Sequence, residues 1–347
     1  MKKTILYEIY WLRTIACLAV VGVHAITSGL ILFPEERLAL SGYSLYTIQM
    51  ALMFGTPAFI FISEFLFAKS YPDGLPEGFF KKRVQYLLIP YFSMSIIYGI
   101  VFAENWKAST IIVNTLQNLF LGNFVAYFIP VIFQFYILHA LLHKNLQKWT
   151  PQKVFILAFI INALYLAYFQ ATEPPISQLE YFWNRGHWIL LPAWLFYFVL
   201  GYYSGHYHEK LIEYLKKYKF LVFIAPMITL AIVIILRYLG LPDLTSSKRV
   251  DIIFYTTSLI FLIIYLTSKL KTAPKIVLFI SKYSFSIYLL HKLLIDNIVQ
   301  ITNNIYLHTL ITFVLGILFS IFVSYLFNKI PYGQFIVGKV AKIPVKK

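Results

Sequence analysis

Ten runs of about twenty mostly apolar residues, separated by short polar gaps, decide what this chain can fold into. A helix needs a run of that length to cross about 30 Å of hydrocarbon. The runs cover 8–33, 43–68, 84–103, 122–143, 153–171, 188–206, 219–239, 250–269, 283–300 and 306–328. A further segment, 107–121, is apolar at helical spacing but short and Asn/Gln-bearing, which reads as an interfacial helix. An average soluble domain carries about a quarter charged residues. Here 13% are charged and 60% hydrophobic, too few charges to cover a water-soluble globule of 347 residues. The expected fold class is all-α: a polytopic integral membrane protein of about ten transmembrane helices. Residues 1–347 read as a single membrane domain with no soluble domain appended.

The net charge of +16 then has a topological meaning rather than a nucleic-acid one. Cytoplasmic loops carry an excess of Lys and Arg. With the N-terminus inside, the inner segments 1–7, 69–83, 144–153, 207–219, 269–282 and 329–347 hold 22 Lys and Arg. The outer segments hold five, namely Arg37, Lys107, Arg185, Lys248 and Arg249, and Arg13, Arg237 and Lys292 fall inside spans. A wrong number of spans scrambles such an alternation, so ten spans with both ends cytoplasmic is the expected topology. Lys2-Lys3, the apolar run 14–23 and Val23-His24-Ala25 imitate a cleavable signal peptide. Glu8 and Arg13 interrupt its apolar core, and cleavage would reverse the charge pattern, so the first span is kept.

An ionisable group at mid-membrane costs about 2.5–3.5 kcal/mol even on a lenient insertion scale. Arg13 and His24 share the first span, and eleven steps of 100° return to within about 20° of the same face, about 16 Å further along. Arg13, Cys17, Val20 and His24 form one stripe that continues to Thr27 and Ser28, a polar line through most of the bilayer. Arg13 lies toward the inner surface, where it can also snorkel, and His24 beyond the midplane. Glu64 lies at about the depth of Arg13 and could neutralise it. Lys81-Lys82-Arg83 opens the third span with Tyr86 one turn on. It suits phosphate recognition, since Arg grips phosphate oxygens in bidentate fashion, but equally suits plain inner-surface charge. The ninth span is dense in polar groups: Tyr283, Ser284, Ser286, Tyr288, His291, Lys292 and Asp296, with His291 mid-span. Gln134 reads first as interhelical glue. His139, His143, His206 and His208 read as interfacial. The outer stretch 181–188, with Trp183 and Arg185, interleaves rings and polar groups as a sugar-binding surface or an aromatic belt does.

One Cys allows no internal disulfide and no Cys-based metal site. No His/Asp/Glu metal spacing, phosphate-binding Gly loop or GxSxG elbow occurs in the sequence. Catalysis would therefore rest on His as general base.

Arg13-x10-His24 in the first of ten spans resembles the signature of membrane acyltransferase family 3. Phe54-Gly55-Thr56-Pro57 to Ser63, Lys82-Arg83 to Pro90-Tyr91, Tyr127-Phe128-Ile129 to Gln134-Phe135-Tyr136, Phe196 to Gly201 and Tyr283-Ser284 to His291 resemble further family segments, in order along nearly the whole chain. The first and third of these runs are most similar to members tied to a poly-N-acetylglucosamine biofilm. The resemblance implies a bacterial cell-membrane enzyme moving an acetyl or succinyl group from cytoplasmic acyl-CoA to hydroxyls of an extracellular polysaccharide, with no metal. It makes His24 the base and Arg13 the residue that binds or orients the donor. Lys82, Arg83, Tyr86 and Glu64 fall at donor-binding places. Gln134, Trp183, Arg185, Tyr288 and His291 would line the acceptor pocket. The chain departs from the family where Tyr86 replaces a common second Arg, where Glu64 replaces a small residue and where Lys292 follows His291. The alternatives are an exporter of the same polysaccharide and a partner that scaffolds a polysaccharide synthase.

Overall fold

The computed structural model describes residues 5–72, 74–242 and 244–341. Sixteen α-helices follow one another among them. They are α1 Tyr7–Leu32, α2 Leu40–Leu52, α3 Gly55–Ser70, α4 Phe79–Arg83, α5 Ile89–Val101, α6 Ala108–Leu121, α7 Phe128–Lys148 and α8 Pro151–Ala171, then α9 Glu180–Asn184, α10 Leu195–His206, α11 His208–Lys217, α12 Lys219–Tyr238, α13 Val250–Ser268, α14 Lys275–Ile295, α15 Ile305–Phe327 and α16 Gln334–Val337. Nine helical stretches among the described residues are long and apolar enough to cross a membrane, and no strand occurs there. They correspond to nine of the ten expected spans.

Two expected spans differ in detail. The sixth, 188–206, is a 12-residue helix, α10, preceded by the 3-10 turns Gly186–Ile189 and Leu191–Trp194. Leu190 between these turns is extended, and Pro192 opens the second, so the backbone enters the helix late. The ninth starts eight residues earlier than expected and stops at Ile295, which moves His291 from mid-span into the outer part of α14. Lys275 and Lys282 lie within the helix, where their positions at its inner end keep their charges near the surface.

The chain forms two compact units. The first contains residues up to Ala58, Leu215–Ser247 and Phe254 onward. Here α1 and α14 run parallel at a constant register. The Cys17 thiol donates to the Ser284 carbonyl at 3.8 Å, and the Ser28 hydroxyl donates to the Ile295 carbonyl at 3.5 Å, both pairs 267 residues apart. Nearer the inner end the Thr14 hydroxyl donates to the Val277 carbonyl at 2.8 Å. α15 runs antiparallel to both, its Ser324 hydroxyl donating to Ser286 at 3.0 Å. α2 is also antiparallel to α1, and the Gln49 amide reaches the Val23 carbonyl at 3.1 Å and the Thr27 hydroxyl at 2.8 Å. Gly55 explains part of the Phe-Gly-Thr-Pro run: a Cβ there would stand 2.9 Å from the Ala16 carbonyl, so only Gly admits this approach. Pro57 sits in the first turn of α3, where a missing N–H costs no helical bond.

The second unit holds Phe59–Tyr214 and Lys248–Ile253. α3, α7 and α10 run parallel in it. Phe59 meets Phe128, Ser63 meets Tyr136 and Phe67 meets His139, while Phe135 stacks on Phe198. α8 returns antiparallel, its Asn162 donating to the Ala193 carbonyl at 2.9 Å and accepting from the Phe196 N–H at 3.3 Å. Each of these senses agrees with the alternation drawn from the charges. The segment 107–121 does form a helix, α6, but it doubles back along α5 rather than lying apart. The Asn118 amide donates to the Ser95 carbonyl at 3.0 Å, and the Tyr91 hydroxyl donates to the Asn118 carbonyl at 2.9 Å.

Lipid gives no hydrophobic drive between helices, so small residues that let backbones approach are what hold them together. Gly201 and Gly205, one turn apart on α10, press on α3. A Cβ at Gly201 would stand 2.7 Å from the Phe61 carbonyl and 3.1 Å from the Phe65 nitrogen. Gly201→Ala should cost about 1–3 kcal/mol by overpacking, read as a lower melting temperature of detergent-purified protein. An unchanged melting temperature would show that α10 is not pinned at this point.

Candidate functional site

In the first unit the α1–α14 register places His24 opposite His291, again 267 residues apart. Their ring centroids are 5.1 Å apart with planes tilted by 45°. His24 is half-buried and His291 fully buried. The Nδ1–H of His291 donates to the Ile287 carbonyl at 2.8 Å, which leaves Nε2 as the lone-pair nitrogen of a neutral ring. That Nε2 is sealed from solvent and has no hydrogen-bond partner. Tyr288 packs edge-on against His291 at 6.1 Å and is itself buried. Arg13, half-buried three turns below His24, acts electrostatically on Tyr10. The polar line read from the sequence thus has a second wall on α14, and His24 has a buried imidazole beside it.

In the second unit Lys82 is exposed and Arg83 half-buried. The Arg83 guanidinium lies 4.8 Å from the Phe79 ring and 5.1 Å from the Tyr136 ring. Tyr86 belongs to a π-helical turn, Val84–Leu88, that joins α4 to α5. Pro90 causes it, since Pro cannot donate to the carbonyl four residues back, which is that of Tyr86. Such single π turns are frequent at functional sites.

Glu64 is not an exposed donor-binding group, and the partner that neutralises it is not the expected Arg13 ion pair but a histidine. Its Oε1 lies 2.5 Å from Nδ1 of His139, and both side chains are 1% exposed. His139, expected at the interface, is therefore a core residue. It lies 4.1 Å from the Phe67 ring and stacks on His143 at 5.8 Å. Glu64 Oε2 and His139 Nε2 are buried without a hydrogen-bond partner.

The outer residues separate into scaffold and surface. Gln134 uses both ends of its amide on the turns before α10, donating to the Ile189 carbonyl at 2.8 Å and accepting from the Leu191 N–H at 3.1 Å. Trp183 is buried, with its indole N–H donated to the Thr172 carbonyl at 2.8 Å. Neither offers a free edge to a sugar. Arg185 instead lies over Trp188 at 5.6 Å, with Lys248 over the same ring at 3.7 Å. Burial and the neighbouring Arg185 push the Lys248 amine well below its usual range. The sequence offered no signal for Lys248, which comes from 60 residues beyond Trp188 and was counted only as outer charge.

The sequence profile described as an acyltransferase domain, family 3, matches residues 6–329. The chain belongs to the family-3 acyltransferases. It is 40% identical to "Putative membrane-bound acyltransferase YfiQ" of Bacillus subtilis (strain 168), over 98% of this chain and 96% of that one. It is 28% identical to "Probable poly-beta-1,6-N-acetyl-D-glucosamine export protein" of Staphylococcus aureus (strain MRSA252), over 97% of each chain. A Staphylococcus epidermidis protein with the same printed name is also 28% identical, over 98% of this chain. No solved structure matches. The chain is thus a multi-pass bacterial membrane protein of the acyltransferase family, and the match covers the His24–His291 seam and the Arg83 region alike.

Two outcomes follow. Glu64→Leu leaves the His139 Nδ1 stranded and should cost about 1–3 kcal/mol, whereas Glu64→Gln, which keeps an acceptor, should cost less than half as much by thermal unfolding. His187, in the turn before α10, stacks on Phe169 at 4.3 Å, and burial holds its imidazole down to about 4. The unfolded ring titrates near 6.5, so between these values the unfolded state binds the extra proton and stability falls as pH falls. The loss should reach about 2 kcal/mol at pH 5 relative to pH 7, and His187→Phe should flatten that part of the profile.

Proposed function

We propose that this acyltransferase moves an acetyl or succinyl group from cytoplasmic acyl-CoA to a hydroxyl of an extracellular polysaccharide of the poly-N-acetylglucosamine type. The observation that supports this most is His24: a half-buried imidazole on a membrane-spanning helix, with Arg13 three turns nearer the inner end and a buried polar wall on α14. His24 takes the proton of the acceptor hydroxyl, whose oxygen attacks the thioester carbonyl. The C–S bond breaks, the ester remains on the glycan, and the thiolate leaves and is protonated to free CoA.

Arg13 and Arg83 hold the anionic donor, Arg13 by charge near the thioester and Arg83 by its fork on phosphate oxygens. Lys82 adds exposed charge, and Tyr86 is presented by the π turn. Glu64 supports this region through His139 rather than by touching the donor. On the outer side Arg185, with Trp188 and Lys248, offers aromatic and cationic surface to the acceptor. In the first unit Tyr288 and His291 stand behind His24, and in the second Gln134 and Trp183 tie down the irregular outer backbone. Association with a polysaccharide synthase would place the acceptor as it emerges.

The printed name of the 28% relatives gives export of the polymer as a second reading. Protein in liposomes, supplied with acetyl-CoA or succinyl-CoA and short glucosamine oligomers, separates the two. Ester formation and free thiol should appear with wild type. His24→Ala should lose about 10²–10⁴-fold in turnover, the usual worth of a general base. Arg13→Ala should raise the KM for donor. Oligomer crossing the bilayer with no ester formed would favour export.

A further inference from the structure

We propose that His291 is the positioning residue for His24, accepting a hydrogen bond from one ring nitrogen so that the other is presented to the acceptor hydroxyl. The inference rests on His24 acting as the base. Three observations carry it. The parallel register of α1 and α14 brings the rings to 5.1 Å between centroids. The Ile287 carbonyl takes the Nδ1–H of His291, so the ring's tautomer is set by the backbone of its own helix. The remaining Nε2 is an acceptor, fully buried, and has no other hydrogen-bond partner.

A buried acceptor without a partner costs about 1–3 kcal/mol. A core with only a packing requirement at this position would be better served by Leu or Phe. The rings in contact with His291 are those of Tyr288, on its own helix, and His24, across the seam on α1. From α14, Tyr288 meets the ring edge-on, and Lys292 is held by Asp296 at 2.9 Å. From α1, the Cys17 thiol is directed to the Ser284 carbonyl. The rings stand in contact, tilted by 45°, and the proposed bond forms when the His24 ring turns about its Cβ–Cγ bond.

The proton balance is simple. Before reaction His24 carries one N–H, which His291 Nε2 accepts, and one lone pair. The hydroxyl proton moves to that lone pair as the oxygen attacks the thioester carbonyl. His24 is then a cation with two N–H groups, and its bond to Nε2 becomes charge-assisted and stronger. On collapse of the intermediate the newly acquired proton passes to the leaving thiolate. The Nδ1–H of His291 stays on the Ile287 carbonyl throughout, so His291 gains and loses no proton. The logic is that of the residue that orients the base in a catalytic triad, with a neutral imidazole in place of a carboxylate.

The test reads His24 directly, by ¹⁵N NMR of histidine-labelled protein in nanodiscs, together with turnover. In wild type the His24 nitrogens should report a single tautomer. His291→Leu should average the two tautomers and lower kcat about 10–100-fold with the donor KM unchanged. His291→Gln, whose amide oxygen can accept, should restore the single tautomer and most of kcat. Wild type that forms ester, with His24 unchanged in His291→Leu, overturns the inference and leaves the transfer reading intact. Loss of activity in both variants with an unchanged His24 signal also overturns it, because it marks His291 as packing alone. A tautomer that scrambles in His291→Leu, in a protein that forms no ester with either donor, supports the pairing and overturns the transfer reading.

Discussion

The parallel contact of α1 with α14 is the arrangement that brings the polar residues of the first unit together. Inside a bilayer a polar side chain finds no water, so it is tolerated only where a neighbouring helix answers it. Thr14, Cys17 and Ser28 on α1 each spend a hydroxyl or thiol on a backbone carbonyl of α14, at a register that barely changes along the seam. Those bonds set the rotation of both helices about their axes. Once that rotation is set, His24 and His291 have no choice but to meet. α15 packs antiparallel against both α1 and α14, the latter through Ser286 and Ser324, and closes the seam.

The second unit solves the same problem differently. α3, α7 and α10 lie parallel, and the glycines of α10 let its backbone touch that of α3. The carboxylate of Glu64 is thereby enclosed and needs a partner within the unit, which His139 supplies. A buried pair of this kind contributes little net stability, since desolvation offsets much of the attraction. It does fix the relation of α3 to α7, and Arg83 rests on the Phe79–Tyr136 face beside it.

Nine of the ten expected spans and their alternating sense were legible because each depends on local hydropathy and on the sign of short loops. Arg13 and His24 were legible for the same reason, both being on one helix at a spacing that returns to one face. What could not be read were pairings between distant segments. Nothing local links Glu64 to His139, which are 75 residues apart, so a depth argument pointed to Arg13 instead. His291 was seen as polar but not as the neighbour of His24, because the register of α14 on α1 is set by side-chain bonds 267 residues apart. Gln134 is the glue its position suggested, whereas Trp183, which looked available in sequence, gives its indole N–H to the Thr172 carbonyl freed after α8. The late start of α10 was hidden because Leu190-Leu191-Pro192 is as apolar as the helix it delays.

That late start reshapes the outer side of the second unit. Twelve residues of α-helix reach about 18 Å, well short of the roughly 30 Å of a hydrocarbon core. The remaining depth is covered by the irregular residues 188–194, whose carbonyls and N–H groups are satisfied by Gln134, Asn162 and the Trp194 indole instead of by helix. Irregular backbone at such a depth must be enclosed by protein or face a water-filled cavity. Held by these partners, the irregular backbone is part of the protein's own fabric rather than an exposed break in a helix.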